Sequence, residues 1–342
     1  MSSDRQTPPV MADVARAAGV SHQTVSRVIN GSPNIRPSTR ERVESAIRAL
    51  GYRPNTAARA LVTRRSSTIG IISTGSGLYG PASIQRTVED AARSAGWFAG
   101  SVSLATVTES TLTDAIDHLL RQAVEGIVMI AGQVEALELV SRQDFGVPFV
   151  VVEGDLSKAS NVVGVDQHAG AFAATTHLVE LGHTRIAHVR GPRSWTEADG
   201  RESGWRDALA AAGLEPGVLL HGDWSARSGY AAGRTLVADG DTTAVFVAND
   251  QMAIGLLRAY HEGGRPAPRH VSVVGFDDTP EAEYLQPPLT TVRQDFAEVG
   301  RRAIAFLDAS IKGLEPHLER LVPPDVILRS STARPYRPEV SA

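Results

Sequence analysis

Several absences bound what this chain can be. Its 342 residues include no cysteine, which excludes a disulfide scaffold, thiolate metal sites and cysteine nucleophiles. No run of about 18 apolar residues occurs, so no membrane span is expected. The segment Met1 to Pro9 is polar and has no apolar stretch of the signal-peptide kind, so a soluble cytoplasmic protein is expected. Catalytic signatures are missing too: there is no G-x-S-x-G, no H-E-x-x-H and no G-x-x-x-x-G-K, and the chain reads as a non-enzyme. Gly75 to Gly80 satisfies G-x-G-x-x-G after an apolar segment, but Ser101 to Thr106 lacks the acid a nicotinamide ribose needs, so no cofactor is expected. His177, His183 and His188 would straddle a helix, a turn and a strand, and no metal site is expected from them.

Lysine is absent from the first 65 residues, yet that stretch is strongly basic. It carries 11 arginines against Asp4, Asp13, Glu41 and Glu44, or +7, whereas the remaining 277 residues carry 23 basic and 34 acidic groups, or −11. The formal total of −4 therefore hides a basic head on an acidic body. Such a split suggests that the head meets a polyanion and the body does not.

From Met11 the apolar positions Val14, Ala15 and Ala18 fall at helical spacing, and Gly19 breaks the pattern. Ser21 is a natural N-cap for a second helix with Val25, Val28 and Ile29 inward. Small Ala15, Gly19 and Val25 meet the packing needs of a helix-turn-helix: close contact, a tight turn and an apolar anchor. His22, Gln23, Ser26, Arg27 and Asn30 are left facing out, and they are side chains that can address base edges and phosphates. A third helix is expected to start on a Ser38–Glu41 capping box, with Val43, Ala46, Ile47 and Leu50 inward and Gly51 as its stop. Asn55 to Leu61 is alanine-rich but too short to hold a helix alone in water.

Beyond Thr68 short apolar strands alternate with amphipathic helices. Expected strands run from Thr68–Ser73, Ser101–Ala105, Gly126–Ala131 and Pro148–Glu153 through to Val271–Phe276 and Asp325–Leu328. Helices such as Ile84–Ala95, Gly170–Leu181, Gly200–Ala212 and Gln251–His261 lie between them. This alternation predicts parallel sheets covered on both faces, in two α/β lobes, with ligands at the carboxyl ends of strands. Asn249 to Gln251 and Asp277 to Thr279 end two such strands. Their carboxylates and amides suit vicinal hydroxyls, and Trp224 could stack on the apolar face of a sugar, so a neutral carbohydrate fits the lining. The plainer alternative is that Asn249 or Asp277 caps the helix that follows.

With these residues in view, the chain resembles the LacI/GalR family of bacterial repressors from Val10 to about Leu328. The carrying stretches are DVARAAGVSHQTVSRVING, GDWSARSG, VANDQMAIG, SVVGFDDT and PPLTTVRQDF. The resemblance implies an all-α helix-turn-helix head plus an α/β body of two-lobed, periplasmic-binding-protein-like, doubly wound parallel sheets. It implies a head at 1–54, a hinge helix and linker at 55–66, a body at 67–332 and a tail at 333–342. The lobes would comprise about 67–165 with 294–323, and 166–293 with 324–332, the crossings falling near Val165, Arg293 and Pro323.

The implied partners are double-stranded operator DNA, a small sugar effector and a second copy of the chain, in a homodimer reading a palindrome. On matching positions His22, Gln23 and Arg27 would contact bases, and Ser21, Ser26 and Asn30 would orient them or touch phosphate. Asn55, Ala58 and Leu61 would line the minor groove, with Leu61 as the wedge that kinks the DNA. Glu153, Arg201, Trp224, Asn249, Asp277, Gln294 and Phe296 match the family's effector positions. The implied function is repression of a carbohydrate-utilisation operon with sugar-driven release, a β-galactoside being first among the candidates. Two features depart from the galactoside pattern: Glu153 replaces an aspartate, and Glu197 with Asp199 replaces a serine and an arginine. Added acid at that rim argues against a sugar phosphate. The alternatives are a sugar-binding transport protein or a nicotinamide-binding regulator.

Overall fold

The computed structural model describes residues 9–29, 31–52, 65–75, 77–154 and 160–336. Asn30 and the hinge positions Asn55, Ala58 and Leu61 lie outside the described residues. The chain divides into two units, Met1–Ser66 and Ser67–Ala342.

The first unit holds α1 (Met11–Ala18), α2 (His22–Ile29) and α3 (Pro37–Leu50) around a core of Val14, Ala15, Ala18, Val25, Val28, Val43 and Ala46, closed by Tyr52. Gly19 ends α1 at φ 63, a left-handed value that an L side chain adopts only under strain, and the chain turns there into α2. Ser21 Oγ accepts from Thr24 N at 3.2 Å, so the expected N-cap forms. The capping box expected for α3 does not. The helix begins two residues earlier, at Pro37, with Arg36 in place of Ser38 as N-cap and no side-chain cap bond. Proline is preorganised for the first helical position and lacks the N–H that would go unpaired there, so Ser38 falls inside the first turn. Leu50, expected inward, is exposed, because α3 has by then run past the end of the three-helix core.

The second unit contains two six-stranded sheets. In chain order the elements are β1 (Thr68–Thr74), α4 (Tyr79–Ser94), β2 (Phe98–Leu104), α5 (Glu109–Arg121), β3 (Ile127–Ile130), α6 (Val134–Arg142), β4 (Phe149–Val152) and β5 (Val162–Val165). The chain then crosses to α7 (Gln167–Glu180), β6 (Ile186–Arg190), α8 (Thr196–Ala211), β7 (Leu219–His221), α9 (Ala226–Asp239), β8 (Ala244–Val247), α10 (Asp250–Glu262), β9 (Ser272–Asp277) and β10 (Thr290–Arg293). It returns through α11 (Phe296–Ile311) to β11 (Leu321–Val322) and crosses again to β12 (Asp325–Ile327). The strand orders are β11-β5-β4-β3-β1-β2 and β12-β10-β9-β8-β6-β7. All pairs are parallel except β10 with β12, an antiparallel edge.

Each sheet is buried on both faces, which explains why its strands read as unbroken apolar runs. Ile69 and Ile71 join Val128, Ile130, Val150 and Val152 under α4 and α11, whereas Ile72, Ile127 and Met129 face α5 and α6. In the second sheet Phe246, Val274 and Phe276 meet Trp205 and Leu209, and Val245, Val247 and Val273 meet Leu236, Met252 and Leu256. The chain remains tied to this sheet as far as Ala333, whose N–H donates to Ser272 Oγ at 3.0 Å. Among the described residues no helix is long and apolar enough to cross a membrane.

Candidate functional site

The carboxyl ends of β4, β6, β8, β9 and β10, with the segments that follow them, surround a cavity of about 140 Å³ between the two sheets. The first sheet's side supplies mostly apolar wall: Leu78, Tyr79, Pro81, Ile84 and Ile130. Gly77 and Gly80 of the glycine-rich loop also line it, so that loop serves the cavity wall. The second sheet's side supplies Arg201, Trp224, Asn249 and Asp277.

The lobes are also joined backbone to backbone at the rim. Val134 N donates to Ser194 O, and Thr196 N donates to Gly132 O, both at 2.9 Å. This pairs Gln133 with Trp195 as an antiparallel bridge. Trp195 then packs edge-on against Trp224, with ring centroids 6.1 Å apart. Gly132 leaves room for the Glu197 carboxyl group, which a Cβ there would displace.

A directed hydrogen-bond chain runs through the polar side. Arg201 Nε donates to Gln167 Oε1 at 2.8 Å, Gln167 Nε2 donates to Gln294 Oε1 at 3.0 Å, and Gln294 Nε2 donates to Asp277 Oδ1 at 2.7 Å. Gln167 Nε2 also donates to Glu153 Oε2 at 3.1 Å, while Val165 N donates to Glu153 Oε1 at 3.2 Å. Gln167 and Gln294 stand just past two of the crossings between sheets, so the chain binds one lobe to the other through side chains that also line the cavity. The Arg201 guanidinium donates to Ala248 O, lies 3.8 Å from Asp277 Oδ1 and stacks 3.8 Å over the Phe276 ring.

Burial governs the electrostatics here. It pushes the Glu153 carboxyl up to about 8, with the neighbouring Glu197 charge adding to the rise. It also pushes Asp277 up to about 6 against the opposing pull of Arg201, and it raises Glu197 and lowers Arg201. Glu153, Trp224 and Asp277 adopt φ of 59°, 72° and 115°. Such left-handed values cost a non-glycine residue about 1–3 kcal/mol each, and three of them converge on one cavity.

All seven candidates, Glu153, Arg201, Trp224, Asn249, Asp277, Gln294 and Phe296, line this cavity. Asn249 nevertheless also caps α10: Oδ1 accepts from Met252 N at 2.9 Å, and Nδ2 donates to Trp224 O and to Gln251 Oε1 at 3.1 Å each. Asp277 caps nothing and holds Gln294 and Arg201 instead. Gln167 and Trp195 escaped the sequence reading, whereas Gln251 was read as a strand-end amide and Glu197 as acid at the rim, and both line the cavity. The available signals were a polar residue directly after the first crossing and an aromatic–acid pair on the loop after Gly191 and Pro192. The carboxylate of Asp250 is buried away from the lining, where it accepts from Thr291 Oγ1 at 2.6 Å and Thr279 N at 2.8 Å and so braces the ends of β9 and β10.

The three clustered histidines serve packing. His188 stacks on Phe246 at 4.8 Å, bonds Phe246 O and is kept neutral by burial, its pKa pushed down to about 3. His183 bonds Thr243 and Ser272, and His177 bonds Thr332. In the first unit, Ser21, His22, Gln23 and Arg27 are exposed at the start and along the outer face of α2, and Ser26 is half-buried.

Two family models match the chain: bacterial regulatory proteins of the lacI family over residues 10–55, and the periplasmic binding protein-like domain over residues 175–332. The chain is 34% identical to the lactose operon repressor of Escherichia coli (strain K12) over 334 residues, covering 96% of this chain and 92% of that protein. It is 36% identical to the HTH-type transcriptional regulator CelR of Thermobifida fusca over 331 residues, covering 93% and 96%. A crystal structure of the lac repressor dimer bound to operator and the anti-inducer ONPF superimposes with a TM-score of 0.82 at 33% identity, covering 96% of this chain and 100% of that one. A complex of CelR with cellobiose gives 0.70 at 32% identity, covering 94% and 99%.

Proposed function

The chain belongs to the LacI family of bacterial regulatory proteins, and from that premise we propose that it is a sequence-specific, DNA-binding transcriptional repressor of a carbohydrate-utilisation operon. A small sugar effector releases it from a palindromic operator, with a β-galactoside first among the candidates. The observation that carries this reading is the convergence of a guanidinium, three carboxyl groups, four side-chain amides and aromatic walls on one cavity between two sheets. Arg201, Asn249 and Asp277 hold hydroxyl groups there, and Trp224 and Phe296 pack against the ring.

The protein acts in the cytoplasm as a homodimer without catalysing a reaction. His22, Gln23 and Arg27 of each α2 read base edges in a major groove, and Ser21, Ser26 and Asn30 orient them or touch phosphate. Asn55, Ala58 and Leu61 address the central minor groove, Leu61 as the wedge. Effector and operator are coupled as a population shift. A sugar that binds the lobe arrangement disfavoured on DNA more tightly lowers operator affinity, and operator lowers sugar affinity by the same factor.

Footprinting the full chain on the promoter beside its own gene tests this. A protected palindrome that a sugar abolishes is the expected result. Protection without any release across a panel of mono- and disaccharides would overturn the effector assignment, and no protected site would overturn the repressor assignment.

A further inference from the structure

The cavity holds more acid than its one cation can answer. Glu153, Glu197 and Asp277 each expose less than a tenth of their surface, and all three line it together with a single guanidinium, that of Arg201. Arg201 is already engaged, on Asp277, on Gln167 and on the Ala248 carbonyl. Among the described residues no ion pair reaches Glu153 or Glu197. Glu153 accepts only neutral amide N–H groups, and Glu197 accepts from the Thr196 hydroxyl at 3.3 Å. The two carboxyl groups also oppose each other's ionisation. Trp224, which lines the same space, keeps its buried indole N–H without an acceptor, a donor left over for an oxygen that is not the protein's own.

Arg201 eases both charges only from beyond contact distance, so the two buried carboxyl groups hold protons while the cavity is empty and can exchange them for a cation. Among the described residues no group of three or more His, Asp or Glu side chains could hold a metal ion. A phosphorylated sugar would add like charge. An ammonium group offers three N–H donors in a compact charge, enough to bridge two carboxylates with short, charge-assisted hydrogen bonds. Its carbon skeleton can still meet the aromatic walls.

We infer that the effector is an amino sugar, its protonated amine seated between Glu153 and Glu197 and its ring packed against Trp224 and Phe296. This rests on the cavity being the effector site proposed above. Glu197 then sets specificity: it selects a cation where a smaller neutral residue would accept a hydroxyl.

Titration calorimetry on the full-length protein at pH 7 tests the inference with D-galactosamine, D-galactose and N-acetyl-D-galactosamine, and with the corresponding gluco epimers, alongside operator release by each. The amine is expected to bind at least about tenfold tighter than the neutral sugar of the same configuration, a difference of about 1.4 kcal/mol, and acetylation is expected to remove the gain. Glu197→Gln should bring the amine to within about threefold of the neutral sugar, roughly 0.7 kcal/mol. Glu153→Gln serves as the second variant if Glu197→Gln does not fold. Neutral sugars binding and releasing operator as well as or better than the amines would overturn the cationic effector and leave the sugar-responsive repressor standing. No binding or release by any sugar, charged or neutral, would overturn both.

Discussion

His22, Gln23 and Arg27 stand in solvent on an eight-residue helix, whereas Arg201 and three carboxyl groups sit in a cavity where each is less than a tenth exposed. Solvent-exposed charges interact through water and are screened within about 10 Å at 0.1 M salt. Buried ones feel a much lower effective dielectric and respond by shifting their protonation. The head is therefore a device that salt controls, and the cavity is one that pH and ligand charge control. Substitutions that respect this division should move one property and spare the other.

The largest expected effect is at Arg201. Arg201→Ala strips Gln167 and the Ala248 carbonyl of their shared donor and Asp277 of its ion-pair partner inside the protein. Removing one partner of a buried pair costs about 3–5 kcal/mol of stability. Denaturant unfolding should report a loss of that order, and effector binding should vanish in calorimetry. Operator affinity, measured well below the lowered melting point, should stay within about twofold, about 0.4 kcal/mol. A large loss of DNA binding by the folded variant would show that the cavity and the head are not separable in this way.

Next comes pH. Glu153 has its pKa raised from 4.5 to about 8, by burial first and the Glu197 charge second. In the folded state it keeps a proton that the unfolded chain sheds near 4.5, so stability falls as pH climbs from there to about 8 and levels off above. Glu153→Gln, a mimic of the neutral acid, should melt a few degrees above the parent at pH 8, at about 2–4 °C per kcal/mol for a domain of this size. The gap should close by pH 5. A gap that is constant with pH would mean that packing, not ionisation, separates the two proteins.

The head should answer to salt. Arg27→Ala is expected to cost about 1–3 kcal/mol of operator binding, roughly 5- to 150-fold, if Arg27 addresses a base. The loss should be smaller on random DNA, and effector affinity without DNA should be unchanged. An equal loss on operator and random duplexes, with a shallower salt slope, would reassign Arg27 to phosphate.

These tests bear on sites that were unevenly legible beforehand. The head could be read because a small core and a tight turn tie residue type to position: Ala15, Gly19 and Val25 have few alternatives in a helix-turn-helix. The strands of the body could be read because burial on both faces produces apolar runs such as Thr68–Thr74. Thr290–Arg293 and Leu321–Val322 went unrecognised as strands, because four- and two-residue segments carry too little pattern. At Phe98–Gly100 the strand starts earlier than expected: it is an edge, and Phe98 points into solvent. Of the seven candidates lining the cavity, Asn249, Asp277 and Trp224 were legible as polar strand ends and a ring, and the other four came from matching motif positions. Trp195 required the three-dimensional approach of the Gly132 loop to α8, which no local pattern encodes.

Asn249 carries the smallest effect and makes the sharpest separation within the cavity itself. Its Oδ1 caps α10 through Met252 N, and its Nδ2 holds the carbonyl of Trp224, which sits at a left-handed φ of 72°. Asn249→Ala removes both, and loss of an N-cap alone costs about 1 kcal/mol. Asn249→Asp keeps the cap and loses the donor to Trp224 O and to Gln251 Oε1. If Asn249 serves the effector directly or by holding Trp224 in place, the folded Asp variant should lose sugar affinity. If the residue is only a cap, the Asp variant should bind sugar as the parent does, and the Ala variant alone should show the stability loss. Measuring melting and sugar affinity on both variants turns the double use of one side chain into two separate numbers.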